Sequence, residues 1–351
     1  MVRTSMVDVD PELVSKVQFN CDLSDARFAG NYTMCIYLLK MREFYRWHHG
    51  LSFGDALSMK RVGDWVQQTE VRWDEIENRD WEPLPLNGAV CDVFDDAAVN
   101  EHLLPEHVVF SSGIGRFGKP VFFLAECIES RSQGDCTVYM AGKEYARELA
   151  APPAMIRGNR IFLRRQSLER MLWEAVEEWR WHRRPGPMAK VVDHYGFERD
   201  PAGALQAMVD DKLEQLLLHE KGEHQAGKLL GDAWDTMLLE VAGGQDENIA
   251  RAVRDCLADC LTVLPELVRS DRPELIHFHF ALQSALGKEL FPSLTRAYRD
   301  WASRGESSHM GALVEEGRSH FLEAARTLMR TNARGSRDAG FAHIDVGKLA
   351  L

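Results

Sequence analysis

The C-terminal half of the chain carries only the patterns that are typical of helices. Between Ala189 and Arg330 apolar residues recur at helical spacing, and we find no strand-like run among them. Glycine and proline divide the region, with breaks at Gly222, Gly243-Gly244, Pro265, Pro273 and Gly305. The predicted helices cover residues 189–195, 201–221, 223–242, 246–262, 273–303 and 309–330. Helices without strands must bury their apolar faces on one another, so this region is expected to form an all-helical bundle.

The N-terminal half mixes helices with strands, which predicts an α+β domain with a small antiparallel sheet. Asp10 and Pro11 are the N-cap and first residue of a short helix that is expected to end at Phe19. A second helix, capped by Asn31 or Thr33, has apolar residues around most of its circumference, so it is predicted to be central and buried. Apolar runs between turn residues predict three strands and a candidate fourth, at 107–112, 120–126, 136–140 and 160–163. Further helices are predicted at 55–78, 92–103 and 166–182.

A cluster of chain-breaking residues, Arg183-Arg-Pro-Gly-Pro-Met188, separates the two halves. At 351 residues the chain exceeds the usual size of one core, so two domains are expected. We predict a mainly helical protein with an α+β domain at 1–185 and a helical-bundle domain at 186–331. Residues 332–351 begin with small and polar residues and are expected to form a flexible tail. This tail either docks to a protein partner or packs back on its own domain.

The charge balance excludes two classes of partner. The chain has 54 acidic and 42 basic residues, a formal net charge of −12. Binding to nucleic acid or to an anionic membrane surface needs an excess of Lys and Arg, so we expect neither partner. The N-terminus lacks the apolar run of a signal peptide, and the longest apolar run, about residues 32–39, is far shorter than the ~20 residues of a membrane helix. We therefore expect a cytoplasmic protein whose seven cysteines are buried, reduced thiols.

Candidate metal ligands are densest in residues 211–230, which have the pattern of one amphipathic helix. Two glutamates and a histidine there share one helix face through their three- and four-residue spacing. A Glu-x-x-His pattern, Glu274-Leu-Ile-His277, lies on a later predicted helix, and helical bundles hold metal ions with such inward-facing groups, although the order of ligands here is not that of ferritin-like proteins. His219 lies five residues before His224, does not share its face, and is left out of the site. The predicted ligands for iron, manganese or zinc are Glu220, Glu223, His224, Glu274 and His277.

The same residues also have a structural interpretation. Lys221 could pair with the glutamates on a solvated face, and Gly222 could end one helix so that Glu223 begins the next. Glu274 follows Pro273 at a helix start, where an acidic side chain complements the helix dipole without any function. Two functions therefore stay open. One is a non-haem metal-binding protein, with oxidoreductase as its candidate activity, and the other is a non-catalytic binding or scaffold protein.

Two further motifs favour structure over ligand binding. The segment Gly113-Ile-Gly-Arg-Phe-Gly118 has the letters of a dinucleotide fingerprint, but a predicted strand follows where a helix would have to begin, so we expect a hairpin loop. Lys40, Arg42, Glu43 and Arg46 place four charges on the second helix, and buried charges must be paired or face a cleft. We favour an ion-pair network over a binding pocket. Candidate partners just upstream are Asp22, Asp25 and Arg27.

Three segments carry a resemblance to a known family. They are Ser24–Trp47, Gly118-Lys-Pro-Val-Phe-Phe-Leu-Ala-Glu126 and Leu217-Leu-His-Glu-Lys-Gly-Glu223. In these segments the chain resembles a family of uncharacterised bacterial proteins that is described as an N-terminal and a C-terminal domain of unknown function. The resemblance covers most of the chain, apart from the first ten residues and the tail. It implies a bacterial, cytoplasmic protein with a domain boundary near Pro185, and it implies no activity, cofactor or catalytic residue.

Overall fold

A computed structural model describes residues 9–86, 88–304, 308–334 and 346–351 of the chain. The chain divides into two compact units, and each is described by itself. The first unit comprises Met1–Gly115, Lys119–Pro153 and Phe162–Arg170. The second comprises Arg116–Gly118, Ala154–Ile161 and Met171–Leu351. Among the described residues, no helix combines the length and the apolar composition that crossing a membrane requires.

The elements alternate between helix and strand only in the first half of the chain. Up to the last strand they are α1 Pro11–Phe28, α2 Met34–His48, α3 Met59–Ile76, β1 Leu84–Leu86, β2 Ala89–Cys91, α4 Asp96–Leu103, β3 Val108–Ile114, β4 Pro120–Gln133, β5 Cys136–Arg147, β6 Ala154–Arg157 and β7 Arg160–Arg164. The helices that follow are α5 Arg165–His182, α6 Pro187–His194, α7 Pro201–Leu230, α8 Asp232–Glu240, α9 Gln245–Ala258, α10 Leu264–Arg269, α11 Pro273–Leu282, α12 Ala285–Leu290, α13 Pro292–Arg304 and α14 Ser308–Arg334. The protein is therefore mainly helical, with an N-terminal region of mixed helix and strand and a helical C-terminal region.

Helix α1 begins where the cap was predicted but extends to Phe28 instead of ending at Phe19. The Asp10 side chain accepts a hydrogen bond from the Glu12 backbone N–H, and Pro11 occupies the first turn. The second half of the helix buries polar side chains. Seen only in sequence, a polar segment of this kind is typical of a loop. Asn20, for example, donates to the Glu82 carbonyl at 2.8 Å. These tertiary hydrogen bonds stabilise a helical segment that has little apolar patterning.

The prediction that α2 is central and buried was wrong. Its inner face, which includes Met41 and Phe44, packs against Trp73 of α3. Its outer apolar residues remain in solvent, since Met34 is 69% and Leu38 51% exposed. The apolar residues around this helix therefore do not indicate burial on all sides, because within the described part of the chain its outer face is left exposed.

The main sheet is larger than predicted and is not wholly antiparallel. It has five strands in the order β3-β4-β5-β7-β6 and is mixed. Strand β3 pairs antiparallel with β4, and β4 pairs antiparallel with β5 through register shifts between Leu124 and Glu129. These bulges bend the long β4–β5 ladder. In the first unit Phe110 and Phe122 of this sheet pack with Leu13 and Val17 of α1. Strand β6 and the small antiparallel pair β1–β2 were not predicted from the sequence.

The second unit has a helical core, and its longest helix runs through a predicted break. Helix α7 continues across Gly222 and ends at Gly231, whose φ of +72° favours glycine. Gly222 is required for packing, because a Cβ there would overlap the carbonyl oxygen of Ala258 on α9. The prediction that Gly222 separates two helices was therefore wrong.

Helix α9 also continues past its predicted end. The five residues Asp259–Val263 form a π-helical turn that leads directly into α10. Leu264 donates its backbone N–H to the Asp259 carbonyl. Pro265 has no N–H to donate, so the wider turn accommodates it within a continuous helical segment.

The predicted helix 273–303 is three shorter helices, and the end of the chain packs beside them. Ser284 caps α12 by accepting from the Gly287 N–H at 3.0 Å, and Pro292 begins α13. Residues 346–351 contact this region, since the Leu351 N–H donates to the Leu290 carbonyl at 2.9 Å and Leu349 lies in the helical core. The last six residues of the predicted tail thus pack on their own unit. Residues 335–345 of that tail lie outside the described residues, and its docking to a partner stays a prediction.

Candidate functional site

A cluster of charged side chains lies in the second unit where α7 packs against α9 and the π-helical turn. Gly222 allows the two backbones to approach closely, and the Thr262 hydroxyl donates to the Leu218 carbonyl at 2.7 Å. This close approach brings side chains of α7 within reach of those on the facing helix. We call these residues the His219 cluster: His219, Glu220, Glu223, Arg254, Asp255 and Asp259.

His219 is held by carboxylates at both ring nitrogens. Its Nδ1 lies 2.7 Å from Asp259 Oδ1, and its Nε2 lies 3.5 Å from Glu223 Oε1. Burial lowers the pKa of His219, but Asp259 and Glu223 outweigh this effect and raise the pKa well above its usual value. The pKa of Asp259 is lowered by His219 despite burial, so Asp259 is an ionised acceptor. His219 Nδ1–H therefore donates to Asp259, and Nε2 faces the rest of the cluster.

Arginine side chains neutralise the remaining carboxylates. Arg254 Nη2 lies 2.6 Å from Glu223 Oε1 and 3.4 Å from Asp255 Oδ1. Arg116, which belongs to the same unit, lies 3.9 Å from Asp255 Oδ2. Burial raises the pKa of Glu223, but Arg254 and His219 lower this pKa by more than burial raises it, so the carboxyl group stays ionised. The cluster is thus held together by charge-assisted contacts with known partners.

Glu220 is the exception, because burial and the neighbouring carboxylates oppose its ionisation more than His219 and Arg254 favour it. The residue is only 5% exposed. Burial is the largest effect and the charge of Glu223 the next, and together they raise the pKa of Glu220 to about 8. A carboxylic acid with this pKa is largely protonated near neutral pH, so it can exchange a proton when the charge beside it changes.

Two further titratable groups lie on the other side of Asp259. Lys212 is desolvated, which lowers its pKa to about 8, while the charge of Asp259 raises it. His279 is buried, and burial lowers its pKa to about 4, so its imidazole is neutral near pH 7. Protonated His219 is therefore the positive charge that stabilises the Asp259 carboxylate most, and the two side chains are in direct contact.

Three residues of the cluster have the arrangement of a metal site. His219, Glu223 and Asp255 each offer one ligand atom, and these atoms lie within 4.8 Å of one another. Ligands at the usual ~2.0–2.2 Å from one ion are separated by about 3–4 Å, so only a small contraction is needed. His219 and Asp255 are partly exposed, which leaves a path for an ion from solvent.

The structure brings only two of the five predicted ligands together. Glu220 and Glu223 lie in the His219 cluster. His224 is outside it, because one residue along a helix turns the side chain by about 100°. The remaining two have other contacts: Glu274 accepts from Arg272 at 2.8 Å, and His277 Nδ1 lies 2.9 Å from the Tyr298 hydroxyl.

Sequence reasoning left out His219, which the structure places at the centre of the cluster. The signal that could have identified it is its four-residue spacing to Glu223, which puts both side chains on one helix face. Asp255 and Asp259 repeat the same spacing on the facing helix. Their approach depends on Gly222 and on the π-helical turn, and neither is visible in the spacing.

Two family models match nearly the whole chain. The family of unknown function DUF6866 matches with its N-terminal domain over residues 12–164 and with its C-terminal domain over residues 169–345. All six residues of the His219 cluster fall within the second match. No curated protein and no solved structure matches the chain.

Proposed function

The chain belongs to the DUF6866 family, whose two domains have no known function, and we propose that its C-terminal domain binds one divalent transition-metal ion through His219, Glu223 and Asp255. The alternative, a non-catalytic binding or scaffold protein, treats the same residues as an ion-pair network. The proposal replaces His224, Glu274 and His277 of the sequence-based ligand set with His219 and Asp255.

The observation that carries the proposal is the contact between His219 and Asp259. Metal-binding histidines commonly donate their second ring N–H to a carboxylate, which sets the tautomer and the ring orientation. Here Asp259 holds Nδ1 at 2.7 Å and turns Nε2 towards Glu223. The ligand atoms of Glu223 and Asp255 lie within 4.8 Å of the one that His219 offers, and a metal ion bound at Nε2 would displace the proton that this nitrogen carries in the metal-free protein.

One nitrogen and two carboxylate oxygens suit manganese, iron(II) and zinc, and the donor set includes no thiolate. Three protein ligands leave further coordination positions for water or substrate. Iron or manganese would supply redox chemistry and zinc would supply Lewis-acid chemistry at this place. Glu220 lies beside Glu223 and can release or take up a proton there, because its pKa is raised to about 8 by burial and by Glu223.

The test is metal analysis of the purified full chain, followed by chelation and reconstitution with Mn²⁺, Fe²⁺ or Zn²⁺. We expect one ion per chain in the wild type and loss of that ion in His219→Ala and Asp255→Asn. His309→Ala is the control, because it removes an exposed histidine of the same unit that lies outside the cluster. His277→Ala separates this proposal from the sequence-based ligand set and should retain the ion.

Wild-type protein that takes up no ion on reconstitution would overturn the proposal. The cluster would then be a structural network, since the positive charges of His219, Arg254 and Arg116 already oppose those of the carboxylates. Loss of metal in His277→Ala with retention in His219→Ala would also overturn it.

We also infer a cytoplasmic location. All seven cysteines are free thiols, and this is the state expected in a reducing compartment. Secreted protein with oxidised cysteines would contradict this location.

A further inference from the structure

The first unit contains a large open cleft that the proposed metal site does not involve. Its volume is about 830 Å³, which is within the range of about 300–1,000 Å³ that is usual for small-molecule sites. One wall is a stripe of α1 that includes Val14, Gln18 and Asp22 at helical spacing. The other walls come from the end of α2, from α3 and from β5.

One side of the cleft presents a carboxylate in a fixed position. Asp22 is 8% exposed, and its Oδ1 accepts from Gln18 Nε2 at 2.9 Å. The Gln18 amide is itself held by the backbone of Arg147, with contacts of 3.2 Å to both its N–H and its carbonyl. Burial raises the pKa of Asp22 more than Gln18 and Arg72 lower it. The contacts with these two residues therefore do not fully offset the cost of burying the ionised carboxylate.

Basic groups also line the cleft, and one of them lies beside Asp22. Arg72 Nη2 lies 3.5 Å from Asp22 Oδ2, a loose contact made by a side chain that is 48% exposed. Lys143 and His48 line the same cleft. Burial lowers the pKa of His48, with His49 and Arg72 adding to the effect, so His48 is a neutral hydrogen-bonding group near pH 7. Arg72 and Lys143 therefore favour an anionic group on the ligand.

Aromatic side chains form the apolar part of the lining. Phe19, Trp47 and Tyr145 contribute rings, and Val14 and Ile76 contribute aliphatic surface. Rings of this kind bind planar apolar groups through large contact areas. The cleft thus combines the carboxylate of Asp22, two exposed cations and an aromatic surface, while the other carboxylate of the lining, Glu144, is already bound to Arg164 and Ser167.

We propose that this cleft binds a small zwitterion of the α-amino acid class with an aromatic side chain. The ligand's ammonium group replaces Arg72 as the partner of Asp22, and its carboxylate takes the freed Arg72 together with Lys143. A plain carboxylate would be repelled by Asp22, and a plain amine would be repelled by Arg72 and Lys143. The aromatic side chain then lies against Phe19, Trp47 and Tyr145.

The experiment is isothermal titration calorimetry on the full chain with L-phenylalanine and L-tryptophan. Three analogues test each ligand group separately: 3-phenylpropionate lacks the amine, phenethylamine lacks the carboxylate, and L-alanine lacks the ring. We expect the two aromatic amino acids to bind at least about tenfold more tightly than any analogue, because each missing group leaves a charged or apolar partner unused. An analogue without the amine that binds as tightly as L-phenylalanine would overturn the zwitterion proposal.

Two variants and one control locate the binding. Arg72→Gln and Asp22→Asn should each weaken L-phenylalanine binding about tenfold or more. Arg72 is half exposed, so its variant should fold normally even if Asp22→Asn is less stable. Arg61→Gln removes an exposed arginine from the first turn of the same helix and should leave the affinity unchanged. Absence of wild-type binding at about 10 mM ligand, or equal affinity in Arg72→Gln and wild type, would overturn the proposal.

Discussion

Gly222 lies against the carbonyl oxygen of Ala258 so closely that a Cβ at position 222 would overlap it. The same Cβ would be 2.6 Å from the Thr262 hydroxyl oxygen. Glycine at this position lets α7 and α9 meet backbone to backbone, and the His219 cluster is assembled on both sides of that contact. Packing of the two helices and geometry of the candidate site therefore depend on one residue.

We expect Gly222→Ala to lower the free energy of unfolding by about 1–3 kcal/mol, because the added methyl group forces the helices apart. Gly227→Ala is the matched control on the same helix, where a Cβ meets nothing within 4 Å. There the better helix propensity of alanine should raise stability by up to about 1 kcal/mol. Chemical denaturation of both variants measures the difference. Equal stability of the two would contradict the close packing at Gly222.

Asp259→Asn should lower the pKa of His219 towards the ordinary value of about 6.5. Burial lowers this pKa, and the charge of Asp259 is the largest of the effects that raise it. A titration of the His219 ring protons by NMR on metal-free protein measures this pKa directly. Asp232→Asn, at an exposed position on α8, is the control and should leave it unchanged. If metal is bound as proposed, the same substitution should weaken metal affinity by about 10–100-fold.

Glu220 should make the wild type less stable as pH rises. Its folded-state pKa of about 8 exceeds the unfolded value of about 4.5, so the folded protein holds more protons between these values and loses stability with increasing pH. One proton of this kind changes the free energy of unfolding by at most about 1.4 kcal/mol per pH unit. The facing charged groups are His219, Glu223, Arg254 and Asp255.

The measurement is the unfolding free energy of wild type and Glu220→Gln between pH 5 and about 6, where His219 is mostly protonated in both states. The variant should gain stability relative to wild type as pH rises through this range. Glu214→Gln, an exposed change on the same helix, should show no such trend. A wild-type slope that Glu220→Gln does not reduce would show that another group is responsible.

Short sequence patterns correctly predicted those helices and strands whose ends are set by residues nearby in the sequence. Asp10 and Pro11 start α1 as expected, and the strands around Val108 and Val121 lie where apolar runs between turn residues placed them. The helical character of the C-terminal region also followed from its periodicity, because helix formation depends on spacing within a few turns. These features require no knowledge of distant contacts.

The features that were missed have tertiary causes. Gly222 ends helices in isolation, but here its lack of a side chain serves packing against Ala258. Met34 is apolar yet exposed, because α2 has neighbours on one face only. His219 and Asp259 are 40 residues apart and meet only because a π-helical turn positions the aspartate. The spacing along one helix could show a carboxylate-rich face, but not which residues of another helix would meet it.

Glu43 should be required for stability of the first unit. Its carboxylate is buried and lies 2.7 Å from Arg42 Nε and 3.2 Å from Arg46 Nε. Arg46 also donates to the Ser52 carbonyl, so the network joins the end of α2 to the loop that follows. Arg42, Glu43 and Arg46 thus pair with one another, whereas Asp25 pairs with Lys119.

Removing one partner of a buried ion pair leaves the other uncompensated, so Glu43→Ala should cost about 3 kcal/mol or more. Glu75→Ala, at an exposed position on α3, is the control and should change stability by less than about 0.5 kcal/mol. Thermal and chemical unfolding measure both. A Glu43→Ala protein as stable as the control would favour a binding role for this glutamate over a structural one.

Leu349 fixes the end of the chain to the helical core of the second unit. It is 5% exposed, and its carbonyl accepts from His320 Nε2 at 2.8 Å. Beside it the Ser293 hydroxyl donates to the Leu351 carbonyl at 2.7 Å. The final residues therefore contribute to the fold of this unit, and truncating the Leu349 side chain should destabilise it.

We expect Leu349→Ala to lower the unfolding free energy by about 2–4 kcal/mol, the usual range for a leucine truncated in a core. Lys348→Ala changes the neighbouring exposed residue and should be nearly neutral. Urea denaturation of both variants tests the difference. Unchanged stability of Leu349→Ala would mean that this leucine is not buried in solution, and the end of the chain would then be available to a partner. A destabilised Leu349→Ala would instead confine any docking peptide to the part of the tail before residue 346.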